Sequence, residues 1–337
     1  HYGTTVVVST ATQPAFQAIP PFAATPATEI VPEPARLFRA LDRVDYEMRI
    51  DPELAWADVA EVLRAEAQAL AIVNTKRDAL ALLDALGDPD ALHLSTLLCG
   101  VHRRWVLCTV ERRLAEGRPC RLVSTQVVEA GVDLDFPVVL RAVGPLDGII
   151  QAAGRCNREG RLRRGRVVVF APAEGGLPQG AYRTATQITA ALLHDGRLDL
   201  RDPTVPEAYF KRLFETLDPD AGQLQRLRER FEYPEVARRF RMIDEPTISV
   251  LVHYDDGDGQ RLPLDAIEAL RRGTPETRRL LRRLQPFMVP IPAGSAERYR
   301  RQGLIAPVTD ALGEWLGAYD RVRGLVADDP DLGVLIV

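Results

Sequence analysis

No apolar run in this chain approaches the roughly 18 uninterrupted residues that a membrane-spanning helix needs. The first residues also show no basic stretch followed by an apolar one, as a secretory signal would. The expectation is a cytoplasmic protein with no membrane partner. Cysteine is scarce: Cys99, Cys108, Cys120 and Cys156 form no Cys-x-x-Cys pair and sit on or beside expected regular elements. That spacing argues against a disulfide framework and leaves reduced, mostly buried thiols as the expectation. A basic excess is missing as well, since 43 Lys and Arg face 47 Asp and Glu for a net charge of -4. Wholesale coating of nucleic acid is therefore excluded, and any such binding must be local. Lysine itself occurs only at Lys76 and Lys211. Compositional bias explains that first, although arginine also makes the better bidentate phosphate contact.

Several catalytic signatures are absent too. There is no Gly-x-Ser-x-Gly elbow and no glycine-rich phosphate loop ending in Gly-Lys-Thr. Cys99, His102 and Cys108 lack zinc-site spacing. An EF-hand loop beginning at Asp255 would need glutamate at its twelfth position, where Ala266 stands. No metal site is expected from these residues, and a hairpin turn is the reading of Asp255 to Gly259.

What is present is 46% hydrophobic content in 337 residues, enough for one large or two ordinary domains. Thr5-Val6-Val7-Val8-Ser9 reads as a fully buried strand with no partner before it, so an upstream part is expected to be missing. Ser9-Thr10-Ala11-Thr12-Gln13-Pro14 clusters hydroxyls at its end, the usual place of function in parallel sheets; a capped Ser/Thr-rich turn is the alternative. Residues 20–34, rich in proline and alanine, read as an extended connector. Residues 58–69 are helix-like, and 69–73 form a buried strand ending at Asn74-Thr75. Thr75 and Asp78 then open a helix that stops at Gly87. Residues 92–94, 121–123, 138–140 and 166–170 read as further strands, with a helix over about 102–116 and another, capped by Asp147, that carries residues 151–158. Strands alternating with helices at this spacing imply an α/β fold, a parallel sheet covered on both faces. Residues 181–240 read as helices. Ile248, Val250, Val252 and Tyr254 alternate as a half-buried strand, and Pro263 opens a helix in a smaller mixed α/β domain.

Two segments carry chemistry. On a helix, Gln151, Arg155 and Arg158 would project from one face, beside the small Ala152, Ala153 and Gly154. An arginine pair on such a close-packing helix suits charge developing on a terminal phosphoryl group, although a solvated arginine face remains open. In Ser124-Thr125-Gln126-Val127-Val128-Glu129-Ala130-Gly131-Val132-Asp133, a hydroxyl pair on a strand-to-helix turn can bind phosphate. Asp133, beyond the flexible Gly131, can accept from a ribose; an N-capped turn is the alternative.

Together these segments resemble superfamily 2 helicases, and specifically the helicase-nuclease of type I CRISPR systems. The resemblance rests on residues 123–137, on Gly144-Pro145-Leu146-Asp147 and on Gln151-Ala152-Ala153-Gly154-Arg155-Cys156-Asn157-Arg158-Glu159-Gly160, with Cys-Asn its most distinctive feature. Ser9 to Pro14, Asn74-Thr75-Lys76 and His93-Leu94-Ser95-Thr96 also look like family motifs, as does Arg282-Arg283-Leu284-Gln285-Pro286-Phe287. The resemblance implies a RecA-like fold: a remnant of a first lobe at 1–19, a connector at 20–50, a second lobe at 51–175, a helical region at 176–240 and a C-terminal accessory domain at 241–337. It implies ATP and Mg as cofactors, and single-stranded DNA and a crRNA-guided surveillance complex as partners, along with an N-terminal lobe and an HD nuclease outside these residues. Arg155 and Arg158 would be arginine fingers and Gln151 would order the cleft. Asp133 and Gly131 would bind nucleotide, and Thr125, Thr96, Asn74 and Lys76 would bind DNA. Ser9 and Thr12 would couple hydrolysis to lobe motion. Without the phosphate-loop lysine, the acidic magnesium box and the nuclease ligands, these residues alone are expected to be inactive. A generic superfamily 2 helicase lobe and a non-catalytic nucleic-acid-binding module are the alternatives.

Overall fold

The computed structural model describes residues 5, 7–10, 12, 14–19, 23, 28–194, 199–218, 220, 222–240, 246–255, 257 and 259–327. Helix α1 (Pro34–Ala40) leads into β1 (Val44–Leu54), α2 (Trp56–Arg64), β2 (Gln68–Ile72), α3 (Lys76–Leu86), β3 (Leu92–Leu94) and α4 (Gly100–Ala115). Then come β4 (Cys120–Ser124), β5 (Val138–Ala142), α5 (Leu146–Ala153) and β6 (Gly165–Pro172). The six strands form one parallel sheet in the order β1-β6-β5-β2-β4-β3.

Strand β2 shows why these runs are apolar throughout. Ala69, Ala71 and Val73 pack with Val59 and Leu63 of α2 and Leu82 of α3. Leu70 and Ile72 point the other way, into a second core with Val106 and Val110 of α4 and Ile149 of α5. A central parallel strand is covered on both faces, so neither face can be polar. Local signals set the boundaries of α3: Thr75 Oγ1 accepts from the Asp78 amide at 3.1 Å, and Gly87 closes the helix at φ 58.

Four expectations are corrected. Val7 and Val8, read as a buried strand, are 67% and 63% exposed and lie in no strand. Burial of such a run needs a sheet on which to pair, and none of the described residues offers it a ladder; Val6 lies outside them. Residues 44–50, read as connector, belong to β1, which pairs along β6 from Val44↔Gly165 to Arg49↔Phe170. Its charged Asp45, Glu47 and Arg49 hid it, because an edge strand needs apolar side chains on only part of its surface. The helix after Asp147 ends at Ala153, with Gly154 as its C-cap, so it does not carry Arg155 or Arg158, and Asp147 sits in its first turn rather than at its cap. Gly154 weakens the helix and Asn157 stands at φ 47, which a continuing helix cannot accommodate. Lastly, β7 (Thr247–Leu251) is shorter than the alternation suggested, and Val250, Leu251 and Val252 are all buried.

After β6, helices α6 (Ala181–His194), α7 (Val205–Thr216), α8 (Leu224–Glu229) and α9 (Tyr233–Arg239) follow, as the sequence suggests. Leu146 of α5, Ala185 and Ile188 of α6 and Tyr209 of α7 share a small core that ties the first two to the sheet. Beyond β7 lie α10 (Leu264–Arg272), α11 (Thr277–Leu284), β8 (Met288–Pro292), α12 (Ala293–Arg301), β9 (Ile305–Thr309), β10 (Leu312–Trp315), β11 (Tyr319–Asp320) and β12 (Gly324–Leu325). The second sheet has the order β8-β7-β10-β9, with β7 and β10 parallel and the outer pairs antiparallel.

The C-terminal unit docks on the first. Cys99 and Val101 at the start of α4 enter its core. The amides of Cys99 and Leu325 donate to the Tyr319 hydroxyl and to Leu97 O, each at 3.0 Å, and Arg323 pairs with Asp84. Gly324, at φ 82, fits because a Cβ there would stand 2.4 Å from Leu97 O. Two histidines line this seam. His93 Nδ1 lies 3.1 Å from Val322 O, and His102 Nδ1 lies 3.0 Å from the Tyr319 hydroxyl while its ring stacks on Tyr254 at 4.4 Å.

Burial pushes both imidazoles down from 6.5 to about 4. The Val322 carbonyl opposes this at His93, and His102 and Arg323 add to it; at His102, Arg321 and Asp320 oppose it. Both rings are therefore neutral when docked. A histidine whose folded value is depressed binds its proton more readily unfolded, so stability rises with pH through the window from about 4 to 6.5 and is level above it. Each ring contributes on the order of 3 kcal/mol across the window. Urea unfolding across this range is expected to show that slope, and the double change His93→Gln with His102→Gln is expected to flatten it.

Candidate nucleotide and nucleic-acid site

In a parallel sheet every strand delivers its following loop to the same edge, so β2, β3, β4 and β5 bring Asn74, Thr96, Thr125 and Gly144 to one side. Beneath that edge lies a buried polar network. Arg141, fully buried on β5, donates through one guanidinium nitrogen to Asn74 Oδ1 at 2.7 Å and Ala142 O at 2.8 Å. Its other terminal nitrogen reaches the Tyr182 hydroxyl at 3.2 Å and the Glu129 carboxylate at 2.9 Å. Tyr182 donates to Asn74 Oδ1 at 2.8 Å, and Asn74 Nδ2 donates to Val143 O at 2.8 Å. Gln126 Nε2 donates to Asn74 O at 2.8 Å. Gly144 is required here, since a Cβ would stand 2.8 Å from the Arg141 guanidinium.

The electrostatics follow from burial. Burial pushes the Glu129 carboxyl above the usual carboxylate range, Arg141 opposes that and Asp147 adds to it. Burial works against the charge on Arg141, but Glu129 and Tyr182 outweigh it and hold the guanidinium protonated. Asp147 is raised too, chiefly by burial.

The arginine segment stands next to this network but not on a helix. Phe136 N donates to Arg155 O and Asn157 N to Phe136 O, each at 2.9 Å, which clips the segment to the chain before β5. Asn157 bonds both ways with Leu162 and donates to Arg43 O at 3.1 Å, while Cys156 Sγ packs 2.5 Å from where a Cβ on Gly165 would stand. The Cys-Asn pair is thus a structural staple between β6 and the arginines. Arg155 is buried, donating from Nε to Val128 O at 2.8 Å and from a terminal nitrogen to Glu129 O at 2.7 Å. Arg158 is 42% exposed at its side chain, and its guanidinium meets Asp133 at 2.8 Å. The backbone amide of Arg158 donates to Asp135 Oδ1 at 2.7 Å.

The expected site residues thus divide. Asp133, Arg155 and Arg158 come together, with Gly131, at φ 72, in the turn between Arg155's carbonyl partners and Asp133. Gln151 is half-buried on the last turn of α5. The hydroxyls of Thr96 and Thr125 engage no described residue, although both threonines are largely buried. Asn74 has its amide and its carbonyl oxygen engaged inside the protein, and Lys76 Nζ is withdrawn from solvent, so neither presents its side chain to a ligand in this conformation. Ser9 is exposed and Thr12 buried; the Thr10 hydroxyl donates to Thr12 O at 3.0 Å. Sequence reasoning missed Arg141 and Tyr182. The first left a signal, an arginine inside the apolar strand of Val138, Val139, Leu140 and Ala142. Tyr182 left none, because only the fold brings α6 to that spot.

Among the described residues, no group of three or more His, Cys, Asp or Glu side chains could hold a metal ion. The exposed Arg158 guanidinium is a group that a phosphate would meet.

Residues 65–161 match the family described as CRISPR-associated nuclease/helicase Cas3, C-terminal. A CRISPR-associated nuclease/helicase Cas3 of Haloferax volcanii is 53% identical over 58 residues, 17% of this chain and 6% of the relative. The CRISPR-associated endonuclease/helicase Cas3 of Thermus thermophilus is 29% identical over 202 residues, 52% of this chain and 21% of the relative. Among solved structures, T. fusca Cas3 with AMPPNP superposes with a TM-score of 0.56 at 19% identity, covering 88% of this chain and 43% of that one. A chain of a CRISPR RNA-guided surveillance complex, pre-nicking, gives 0.53 at 20%, covering 85% and 44%. This chain thus spans less than half of each structure and about a fifth or less of these two curated relatives. The motif segment lies inside the matched residues and the α/β RecA-like fold is shared with those structures, so residues 65–161 are similar to the C-terminal part of CRISPR-associated Cas3 nuclease/helicases.

Proposed function

We propose that this chain supplies the trans-acting half of an ATP-driven motor that moves along single-stranded DNA in CRISPR antiviral defence. The observation that carries the reading is the Arg155–Arg158 segment. One arginine is fixed internally to the carbonyls of Val128 and Glu129, and the next presents its guanidinium at the surface, paired among the described residues with the exposed Asp133. A structural arginine beside an exchangeable one suits a cleft that meets a polyphosphate bound by another lobe. The names of the Cas3 structures, which include AMPPNP, ADP and ATP, support nucleotide as the ligand.

On this reading, Arg158 reaches the terminal phosphate, Arg155 holds the segment in place, Gln151 orders the cleft and Asp133 meets the ribose once Arg158 has moved, with Gly131 giving the turn its freedom. Thr96 and Thr125 take DNA phosphates through their unengaged hydroxyls, while Asn74 and Lys76 set the backbone beside them. Ser9 and Thr12 couple hydrolysis to lobe motion. Residues 1–19 close a first lobe, 20–43 link it, 44–175 form the second lobe with β1 at its edge, 176–240 a helical region and 241–337 an accessory domain. ATP and Mg are held mainly by the first lobe, so these 337 residues alone do not turn over ATP. An HD nuclease and a crRNA-guided surveillance complex complete the machine, which works in the cytoplasm.

The test is ATP turnover by the complete protein with and without single-stranded DNA. Strong stimulation is expected, and Thr96→Val with Thr125→Val is expected to raise the half-saturating DNA concentration about thirtyfold, as the loss of two phosphate hydrogen bonds of about 1 kcal/mol each would. Turnover indifferent to DNA in the unaltered protein would overturn the reading.

A further inference from the structure

The Arg282-to-Phe287 motif is left over by this function, and the structure divides it in two. Leu284 and Phe287 are buried, and Pro286 lies against the first turn of α4, where a Cβ on Gly100 would stand 3.2 Å from its carbonyl oxygen. This half docks the C-terminal unit on the helicase lobe. The other half belongs to α11, whose eight residues include four arginines and no acid. Leu280 and Leu284 anchor the helix on its inner side, which leaves all four guanidinium groups outside.

These arginines fall into two pairs, each four residues apart. Like charges at that spacing repel and weaken a helix unless something relieves them. Arg279 and Arg283 are relieved within the chain, by Glu276 at 3.5 Å and Asp265 at 2.9 Å. Arg278 and Arg282 have no ion pair among the described residues. Both line an open depression of about 520 Å³ with Pro275, Glu276, Arg279 and Arg283. In a chain of net charge -4, these two guanidinium groups keep their full charge at the surface of one short helix.

We infer that Arg278 and Arg282 bind consecutive phosphates of a single DNA strand, as a second contact site on the C-terminal unit. Two guanidinium groups one helical turn apart match the step of a polyanion better than that of a folded acidic protein, and their planar forks suit phosphate oxygens. The chemistry is independent of base sequence. The inference rests on the motor reading given above.

The experiment measures binding of a single-stranded oligonucleotide by the complete protein at several salt concentrations, with Arg278→Gln and Arg282→Gln combined. Affinity is expected to fall about tenfold, and the slope of log affinity against log salt is expected to become shallower by about 1.4, the value for two released counterions on a single strand. DNA-independent ATP turnover and the thermal midpoint should be unchanged, because both side chains are exposed. Unchanged affinity and slope in a parent that binds DNA would overturn this inference alone and point to a solvated face or a protein partner. A parent that does not bind single-stranded DNA at all would overturn the motor reading and this inference with it.

Discussion

Replacing Arg158 by alanine in the complete protein is expected to lower ATP turnover by about a thousandfold or more, the range seen when an arginine finger is removed, while single-stranded DNA affinity stays within about twofold, since one of many contacts is changed. The direction follows from how the two arginines are held. Arg155 bonds two backbone carbonyls and is buried, so Arg155→Ala would strand those carbonyls and disturb the segment itself. Arg158 is half-exposed and its sole ion-pair partner among the described residues, Asp133, is 85% exposed. An exposed pair of this kind contributes little, so the guanidinium can leave Asp133 for a phosphate at small cost. Charge developing on a transferred phosphoryl group is where such a donor acts, and substrate binding need not depend on it. Turnover unchanged by the substitution, in a protein that hydrolyses ATP, would remove Arg158 from the reaction.

Much of this arrangement was legible in the residues. The strands of the parallel sheet announce themselves because burial on both faces forces continuous apolar runs, and the Thr75–Asp78 cap and Gly87 mark α3 by local chemistry. β1 was hidden because an edge strand tolerates Asp45, Glu47 and Arg49, and its pairing with β6 joins residues more than a hundred apart. The arginine segment was legible as chemistry but not as shape. Helical spacing put Arg155 and Arg158 on one face, whereas the Gly154 cap and the left-handed Asn157 turn one inward and the other outward. That division of labour depends on carbonyls contributed by residues 128 and 129, which no periodicity reveals.

Replacing Arg141 by methionine is expected to destabilise the protein by about 3–5 kcal/mol, the cost of breaking a buried ion pair from one side. The substitution keeps the apolar volume but strands Glu129 and removes a donor from Asn74 Oδ1. Urea unfolding above neutral pH measures the effect, which is a large part of the roughly 5–15 kcal/mol of a folded domain. The pH dependence identifies the cause. Glu129 is already raised by burial, and losing Arg141 raises it further, so the folded variant takes up a proton that the unfolded chain does not. The deficit is therefore full at high pH and shrinks as pH falls through the folded value, when a neutral carboxyl no longer needs its partner. Changing Glu129 to leucine as well removes the stranded charge, and the double variant should lie well above the sum of the single effects. A loss below about 1 kcal/mol, or one that grows in acid, would show that the pair is not what holds this edge together. The network also touches the arginine segment, because the backbone carbonyl of Glu129 is one of the two that fix Arg155. On the proposed motor reading, loosening its side chain is expected to reduce DNA-stimulated turnover even where the fold survives, because Arg155 loses a fixed support beside Arg158.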